Sequence, residues 1–170
     1  ILIRIRNIYL NNIFLTVAIP VHNGEVFLEE TILSVLNQIN DSSDIEILVV
    51  DNNSTDNTKK IVDKFPSVNY YKHNENIGYD RNFNSLFDIS LGEYVWILAA
   101  DDIIQQNYLE YVVSILKKNA NIVLAYTGGI NENIKMQADY AITNSGDDFF
   151  HYTSFQNGGV SSNIIKRDKW

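Results

Sequence analysis

The sequence has 170 residues and a formal net charge of −8, from 13 Lys and Arg against 21 Asp and Glu. Hydrophobic residues make up 45% of it, which is too many for a disordered chain, and the length favours one domain with one core. The absence of cysteine excludes disulfides, thiolate metal sites and a cysteine nucleophile. The sequence pI of about 4.7 argues against a nucleic-acid partner.

The first residues form a distinct segment. Apolar residues alternate with Arg4 and Arg6, and we interpret residues 1–13 as an N-terminal strand or tail that leaves a peripheral membrane contact open. No apolar run reaches the roughly 18 residues that a bilayer-spanning helix needs.

Strands alternate with amphipathic helices from residue 14 onward. Apolar runs predict strands at 14–20, 45–50, 68–72, 94–99 and 122–127. Apolar residues at helical spacing predict helices over 25–39, around 61–65, over 79–90 and around 109–116. This alternation is typical of a mostly parallel sheet flanked by helices, so we expect an α/β core at 14–127. From 128 to 159 the pattern weakens, which predicts loops or short elements.

Polar residues follow three of the predicted strands directly. They are His22-Asn23-Gly24, the Asp51 to Asp56 turn, and Asp101-Asp102. The carboxyl edge of a parallel sheet is where ligands bind, and carboxylates there need a cation or a donor. Asp101 and Asp102 suit Mg²⁺ or Mn²⁺, which usually bridge to phosphate. The chain has no GxGxxG after the first strand and no P-loop, which argues against dinucleotide-binding and P-loop folds.

Each of these motifs also has an ordinary structural interpretation. Asp101 or Asp102 could cap the following helix, and Asp, Asn and Ser at 51–56 are common turn residues. Asp56 suits a helix N-terminus equally well. Arg81 could be an exposed side chain without a ligand. Trp96 lies within a predicted strand and is expected in the core.

Three segments resemble a known family in order and spacing. TVAIPVHNGEVFLEETILSVLNQ (16–38), EILVVDNNSTDNTKKIVDKF (46–65) and NIGYDRNFNSLFDISLGEYVWILAADD (76–102) resemble family-2 glycosyltransferases of the GT-A fold. The similarity is greatest to bacterial enzymes that build surface polysaccharides. It implies a GT-A, Rossmann-like sheet and a nucleotide-sugar site at its carboxyl edge.

The resemblance also implies roles for individual residues. The predicted nucleotide-binding residues are Pro20, His22, Asn23, Glu25, Asp51, Asn52, Arg81 and Asp101. His22 stands where the family often has Tyr against the base, and Asn52 replaces the second acid of a pair that reads uracil. The predicted ligands of Mn²⁺ or Mg²⁺ are Asp101 and Asp102. Ala99 replaces the first acid of the family's Asp-x-Asp motif.

The resemblance implies transfer of a sugar from a nucleotide-diphosphate sugar, which we expect to be UDP-linked, to a glycan or lipid-linked acceptor. The implied transfer inverts the anomeric carbon and belongs to polysaccharide or O-antigen synthesis. The family's general base falls beyond the position matching Trp170, so we expect a donor-binding part, with 128–170 beginning an incomplete acceptor-side region. The alternative is a catalytically degenerate module that binds a nucleotide or a glycan. Because the nucleotide-sugar donor is intracellular, we expect a cytoplasmic protein. Contact with the inner face of the cell membrane is a second possibility.

Overall fold

A computed structural model describes residues 13–39, 44–119, 122, 124–126, 142–143 and 163–170. The predicted tail at 1–12 and most of 127–162 lie outside the described residues. The helices are α1 (Leu28–Leu36), α2 (Thr58–Val62), α3 (Tyr79–Ile89) and α4 (Tyr108–Lys118), with a final 3-10 helix at Arg167–Lys169. The strands are β1 (Leu15–Val21), β2 (Ile45–Asp51), β3 (Asn69–Lys72), β4 (Tyr94–Ile97), β5 (Leu124–Tyr126), β6 (Ile142–Thr143) and β7 (Asn163–Lys166).

The strands form one sheet in the order β3-β2-β1-β4-β7-β5-β6. β3, β2, β1 and β4 are mutually parallel, whereas β7 pairs antiparallel with both β4 and β5. The predicted α/β architecture is therefore confirmed, with an antiparallel half added. The first predicted helix is shorter than its apolar pattern, because residues 25–27 form a turn and α1 begins at Leu28.

Apolar side chains from the parallel strands pack on both faces of the sheet, which explains the near-continuous apolar runs. Alternate residues of a strand face opposite sides. Val17 of β1 therefore belongs to the larger core cluster, which includes buried residues of α1, α2 and α4, and Ala18 belongs to a smaller cluster with α3. Trp96 is 2% exposed within the larger cluster, as expected from its place in a strand.

Strand β7 is the least expected part of the sheet. It lies between β4 and β5, and Ile164 is fully buried in the core. The following backbone is held as well, since Arg167 N–H donates to the carbonyl oxygen of Glu93 at 2.9 Å. Residues 163–166 are thus part of the same sheet as the core predicted for 14–127.

The ends of the parallel strands position the site. Strands β1, β2 and β3 end at the same level, and β4 ends earlier, with Ile97 in register with Ala18. Val21 is in register with Asp51, and Asp51 is in register with Lys72. β4 ends beside β1, where Leu98 N–H donates to the carbonyl oxygen of Ala18 at 3.0 Å. The loops that follow these strands therefore meet at one edge. No helix in the described part of the chain is both long and apolar enough to cross a membrane.

Candidate functional site

A cavity of about 650 Å³ opens at the carboxyl edge of the parallel strands. This is the edge at which open α/β sheets bind ligands, and the volume is in the range of small-molecule sites. The loops after β1, β2 and β4 all contribute to its lining, together with the start of α3. Polar side chains that line it include His22, Asn23, Asn52, Asn76, Asn82 and Asp101.

The loops after β1 and β2 are held together by a ladder of hydrogen bonds. Asn23 N–H donates to Ser54 Oγ at 2.8 Å, and its Oδ1 accepts from Thr55 N–H at 2.9 Å. Asn23 has a φ of 56°, a left-handed conformation that Asn tolerates better than most residues. Its side chain therefore does structural work as well as lining the cavity.

Glu25 is used in the same ladder, away from the cavity lining. Its Oε2 accepts from the backbone N–H of Asn57 at 3.0 Å and from the Asn57 side chain at 2.8 Å. Asn57 directly precedes α2, so Glu25 satisfies donors at the start of that helix. The expected contact of Glu25 with the ribose stays a prediction.

Asp56 has the helix-start role that the sequence left open. Its Oδ1 accepts from Thr58 N–H at 3.0 Å, and its Oδ2 accepts from Glu25 N–H at 2.9 Å. Partial burial raises the pKa of Asp56, but the hydrogen bonds from Thr58 and Glu25 outweigh this effect, so the pKa is lowered overall. The carboxylate is thereby kept ionised at the junction of the two loops.

His22 lies exposed at the cavity with its ring oriented by the backbone. Its Nδ1 is 3.0 Å from the carbonyl oxygen of Asn52. Because a carbonyl can only accept, Nδ1 is the donor in this contact. Nε2 is 3.4 Å from the side-chain nitrogen of Asn76.

Asn52 holds the loop between β3 and α3. Its Nδ2 donates to Asn76 Oδ1 at 2.9 Å and to the carbonyl oxygen of Gly78 at 3.3 Å. Its Oδ1 accepts from Ile77 N–H at 2.9 Å. The amide donors of Asn52 are therefore occupied by this loop. An aspartate in the same place could not donate these two hydrogen bonds.

Asp51 is fully buried and lies outside the cavity lining. Its Oδ1 accepts from Ser54 N–H at 2.7 Å and from Ser54 Oγ at 2.6 Å, and its Oδ2 accepts from the Tyr70 hydroxyl. Burial and the hydrogen bond to Asp51 raise the pKa of Tyr70, which keeps the phenol protonated as a donor. Asp51 thus braces the turn beneath the site, and its expected contact with the base stays a prediction.

Asp101 is exposed and lines the cavity together with Ala99 and Ala100, whereas Asp102 is exposed outside the lining. Neither aspartate caps the next helix, because α4 begins at Tyr108 with Asn107 as its N-cap residue. The capping interpretation of Asp101 and Asp102 is therefore wrong. Both remain candidates for the metal role that the resemblance implies.

The structure describes no group of three or more His, Cys, Asp or Glu side chains placed to hold a metal ion. Mg²⁺ and Mn²⁺ often use one or two carboxylates plus phosphate oxygens and water instead. Asp101, exposed at the cavity, fits this second arrangement, in which the ion and a diphosphate would be held together.

Arg81 is exposed on α3 and lies outside the cavity lining. Its predicted phosphate contact stays a prediction, and an exposed side chain without a ligand also fits its position. Neighbouring residues that the sequence did not single out line the cavity instead. They are Asn76, Gly78, Tyr79 and Asn82, and Phe27 from the first loop. Their one sequence signal is the Asn-x-Gly turn between β3 and α3, inside a segment already noted for its resemblance.

A family model now identifies the chain. The model described as glycosyl transferase family 2 matches residues 16–164, which include the strands that form the cavity edge. The chain belongs to glycosyl transferase family 2.

Two bacterial enzymes are among the curated proteins that are similar to this chain. The chain is 36% identical over 112 residues to the abequosyltransferase RfbV of Salmonella typhimurium, covering 62% of this chain and 33% of the relative. It is 35% identical over 120 residues to the GalNAc(5)-diNAcBac-PP-undecaprenol beta-1,3-glucosyltransferase of Campylobacter jejuni, covering 68% and 37%. The matched segment thus spans about a third of the length of these two relatives.

Solved structures share the fold. TarS of S. aureus (residues 1–349) superposes with a TM-score of 0.70 at 21% identity, over 91% of this chain and 47% of that one. The mannosyltransferase PcManGT of Pyrobaculum calidifontis, in complex with GDP-Man and Mn²⁺, gives 0.67 at 19% identity over 93% and 46%. TarS has also been solved in complex with UDP. The family-2 chain described here therefore has the GT-A fold, over about half the length of these neighbours.

Proposed function

We propose that this family-2 chain binds a nucleotide-diphosphate sugar, UDP-linked in the first instance, and supplies the donor side of an inverting transfer to a glycan or lipid-linked acceptor. The observation that carries the proposal is the cavity at the carboxyl edge, where His22, Asn52, Asn76 and Asp101 converge in a chain of this family. The similar enzymes of Salmonella and Campylobacter support polysaccharide or O-antigen synthesis as its setting.

The proposed roles follow from the contacts of each side chain. Pro20 and His22 lie beside the base, with the imidazole face offered for stacking. Asn52 keeps the loop at 76–78 in place through its three hydrogen bonds. Asp101 holds Mn²⁺ or Mg²⁺ jointly with the diphosphate. When bound, the ion neutralises charge on the departing nucleoside diphosphate.

We assign no described residue as the general base that takes the proton from the hydroxyl group of the acceptor substrate. Among the described residues, Asp101 is the one carboxylate that lines the cavity, and the proposal gives it to the ion. We propose residues 14–127 as the donor-binding core and 128–170 as the beginning of the acceptor-side region. The same proposal places the protein in the cytoplasm, with a peripheral membrane contact through residues 1–10.

Nucleotide titration tests the donor site. Calorimetry with UDP, GDP and dTDP, each with and without Mn²⁺, should give binding of at least one nucleotide, tightened by the ion because Asp101 and the diphosphate share it. Asp101→Asn should remove most of the Mn²⁺ effect by taking away the charged ligand. Asp88→Asn, which changes an exposed aspartate on α3 outside the cavity, is the matched control. A folded chain that binds none of the three nucleotides with Mn²⁺ would overturn the proposal.

A degenerate binding module is the second candidate. The observation that favours it is Ala99, which lines the cavity where the family's motif has its first acid. This alternative predicts nucleotide binding without turnover. Release of UDP from a UDP-sugar, measured with and without added acceptor on a chain extended through the whole acceptor-side region, separates the two functions. Sustained release above the rate of a heat-denatured sample supports the transferase.

A further inference from the structure

We propose that Thr31, Ser34 and Gln38 are positioning residues, which keep Asp101 at the cavity in the place where it binds Mn²⁺ or Mg²⁺. None of these three side chains lines the cavity, and each contacts the backbone of the loop between β4 and α4. The inference rests on the proposed function, because it concerns the ion that Asp101 shares with the diphosphate.

Thr31 holds this loop at Ala100. It is 1% exposed on α1, and its Oγ1 donates to the carbonyl oxygen of Ala100 at 2.8 Å. A threonine within a helix often bonds to the carbonyl oxygen four residues earlier, but here that oxygen, of Phe27, is farther away at 3.4 Å. A hydroxyl group has one hydrogen, so the shorter contact directs it to the residue that precedes Asp101.

Ser34 and Gln38 hold the same loop at Ile104. Ile104 N–H donates to Ser34 Oγ at 3.1 Å, and its carbonyl oxygen accepts from Gln38 Nε2 at 3.2 Å. The Ile104 side chain is 5% exposed, within the larger core cluster. Gln38 Oε1 also accepts from Leu109 N–H at 3.2 Å, which satisfies a donor in the first turn of α4. Ile104 is therefore held through both backbone groups and its side chain.

Asp101 lies in the short span between these two points. The carbonyl oxygen of Ala99 accepts from Asp102 N–H at 3.1 Å, which closes a turn with Asp101 at its third position. Asp101 is exposed in this turn, one residue after the held carbonyl group of Ala100. Because consecutive Cα atoms are only about 3.8 Å apart, Asp101 cannot move far while both points are held.

The donor set of the proposed site makes this positioning important. Among the described residues that line the cavity, Asp101 is the one carboxylate, and Ala99 lies where the family's motif has its first acid. An ion held by one carboxylate and phosphate oxygens depends on where that carboxylate points. Residues that orient a metal ligand contribute about 10- to 100-fold to metal affinity in other proteins.

Substitution of Thr31 by Val, which has a similar shape and no hydroxyl group, tests the role in the full chain. Calorimetry measures UDP affinity over a series of Mn²⁺ concentrations. The Mn²⁺ concentration that gives half of the ion's effect should rise about 10-fold in Thr31→Val, whereas UDP affinity without Mn²⁺ should change little. Thr31→Ser keeps the donor and should retain the wild-type Mn²⁺ requirement. GDP or dTDP replaces UDP if one of them is what the wild type binds.

The Mn²⁺ requirement separates positioning from stability. The lost hydrogen bond should lower the Tm of Thr31→Val, but a merely structural role would leave the Mn²⁺ requirement of the folded protein unchanged. Thr16→Val is the matched control, because it removes a buried hydroxyl group from β1 at the end of the strand away from the cavity. It should lower the Tm without changing the Mn²⁺ requirement.

The outcomes separate this inference from the function beneath it. A wild-type chain that binds no nucleotide overturns the proposed function, and a chain that binds equally well with and without Mn²⁺ overturns the role of the ion in both. If Mn²⁺ tightens binding to the wild type and Thr31→Val has the same Mn²⁺ requirement, the inference alone is wrong. Ser34→Ala, which removes the acceptor of Ile104 N–H, decides in the same way if Thr31→Val does not fold.

Discussion

Asp51 shows how one side chain at a strand end acts through its partners. Its carboxylate is fully buried and accepts hydrogen bonds from Ser54 and Tyr70, with Lys72 Nζ at 3.8 Å from Oδ2. A buried carboxylate is stable only when donors of this kind compensate its lost hydration. The turn at 51–54 is therefore built around the charge of Asp51, and the loop that carries Asn52 into the cavity depends on it.

Removal of the Tyr70 hydroxyl tests this interpretation at neutral pH. Tyr70→Phe deletes a donor to a buried carboxylate, so the free energy of unfolding should fall by about 1.5–3 kcal/mol. Tyr71→Phe, which changes an exposed phenol on the same strand, should have little effect. Urea unfolding at pH 8 measures both. Equal stability of Tyr70→Phe and the wild type would contradict a bracing role.

The same pair of proteins tests the pKa of Tyr70. Its pKa is raised in the folded state by burial and by Asp51, so the unfolded chain loses this proton first as the pH rises. The stability that the phenol contributes is fully present below about pH 10, the ordinary tyrosine pKa, and is lost as the pH rises further. The stability difference between wild type and Tyr70→Phe should therefore shrink from pH 8 to pH 11. A constant difference would contradict the raised pKa.

At the scale of elements, the loop between β3 and α3 contributes Asn76 and Gly78 to the cavity lining, although the sequence did not single them out. Gly78 is the N-cap residue of α3, with φ of 83° and ψ of 165°, in a region that is essentially restricted to glycine. Its carbonyl oxygen accepts from Asn82 N–H and from Asn52 Nδ2. The conformation of this glycine thus sets both the start of α3 and the position of Asn82.

Substitution of Gly78 by Ala should destabilise the fold through the backbone alone. An added Cβ would meet no atom within 4 Å, so steric contact with neighbours is not the reason. The strained φ should cost about 1–3 kcal/mol in unfolding free energy, and nucleotide affinity should fall as the loop relaxes. Urea unfolding and calorimetry measure the two effects. The exposed neighbour Glu75→Ala is the control, and a Gly78→Ala protein as stable as wild type would contradict this account.

At the scale of the whole molecule, the two ends of the parallel strands have different roles. The carboxyl edge holds the cavity, and the opposite part of β1 and β2 holds a buried polar network. Thr16 Oγ1 donates to Glu46 Oε2 at 2.6 Å and accepts from Gly92 N–H at 2.9 Å. Glu46 is 6% exposed and also accepts from Leu91 N–H and from the Asn69 side chain. This network ties β4 and β3 to the centre of the sheet.

Stability and binding should therefore be separable. Thr16→Val removes a donor to Glu46 and leaves the Gly92 N–H without this acceptor, so unfolding free energy should fall by about 2–3 kcal/mol. Thr16→Ser keeps the hydroxyl and should lose only about 1 kcal/mol from the missing methyl. Nucleotide affinity, measured well below the Tm, should be unchanged in both. A fall of about 10-fold or more in the nucleotide affinity of Thr16→Val would contradict the separation.

The fold was largely predictable because its signals are local. Apolar runs such as Ile45 to Val50 predict strands buried on both faces, and polar residues directly after them predict the ligand edge. The order and spacing of the motifs also predicted the family, which the match to residues 16–164 confirms. The apolar pattern did not predict the place of β7, because this short strand is held between β4 and β5, two strands that are distant from it in the sequence.

The sequence by itself determined the kind of site: a carboxyl edge with amides, an imidazole and Asp101 after successive strands. Only the tertiary structure decided which of these groups face the cavity. Asp51 and Asn52 are adjacent in the chain, yet one is buried against Ser54 and Tyr70 and the other lines the cavity. Adjacent side chains after a strand diverge, and partners such as Tyr70 of Asp51 and Asn76 of Asn52 lie many residues away in the sequence.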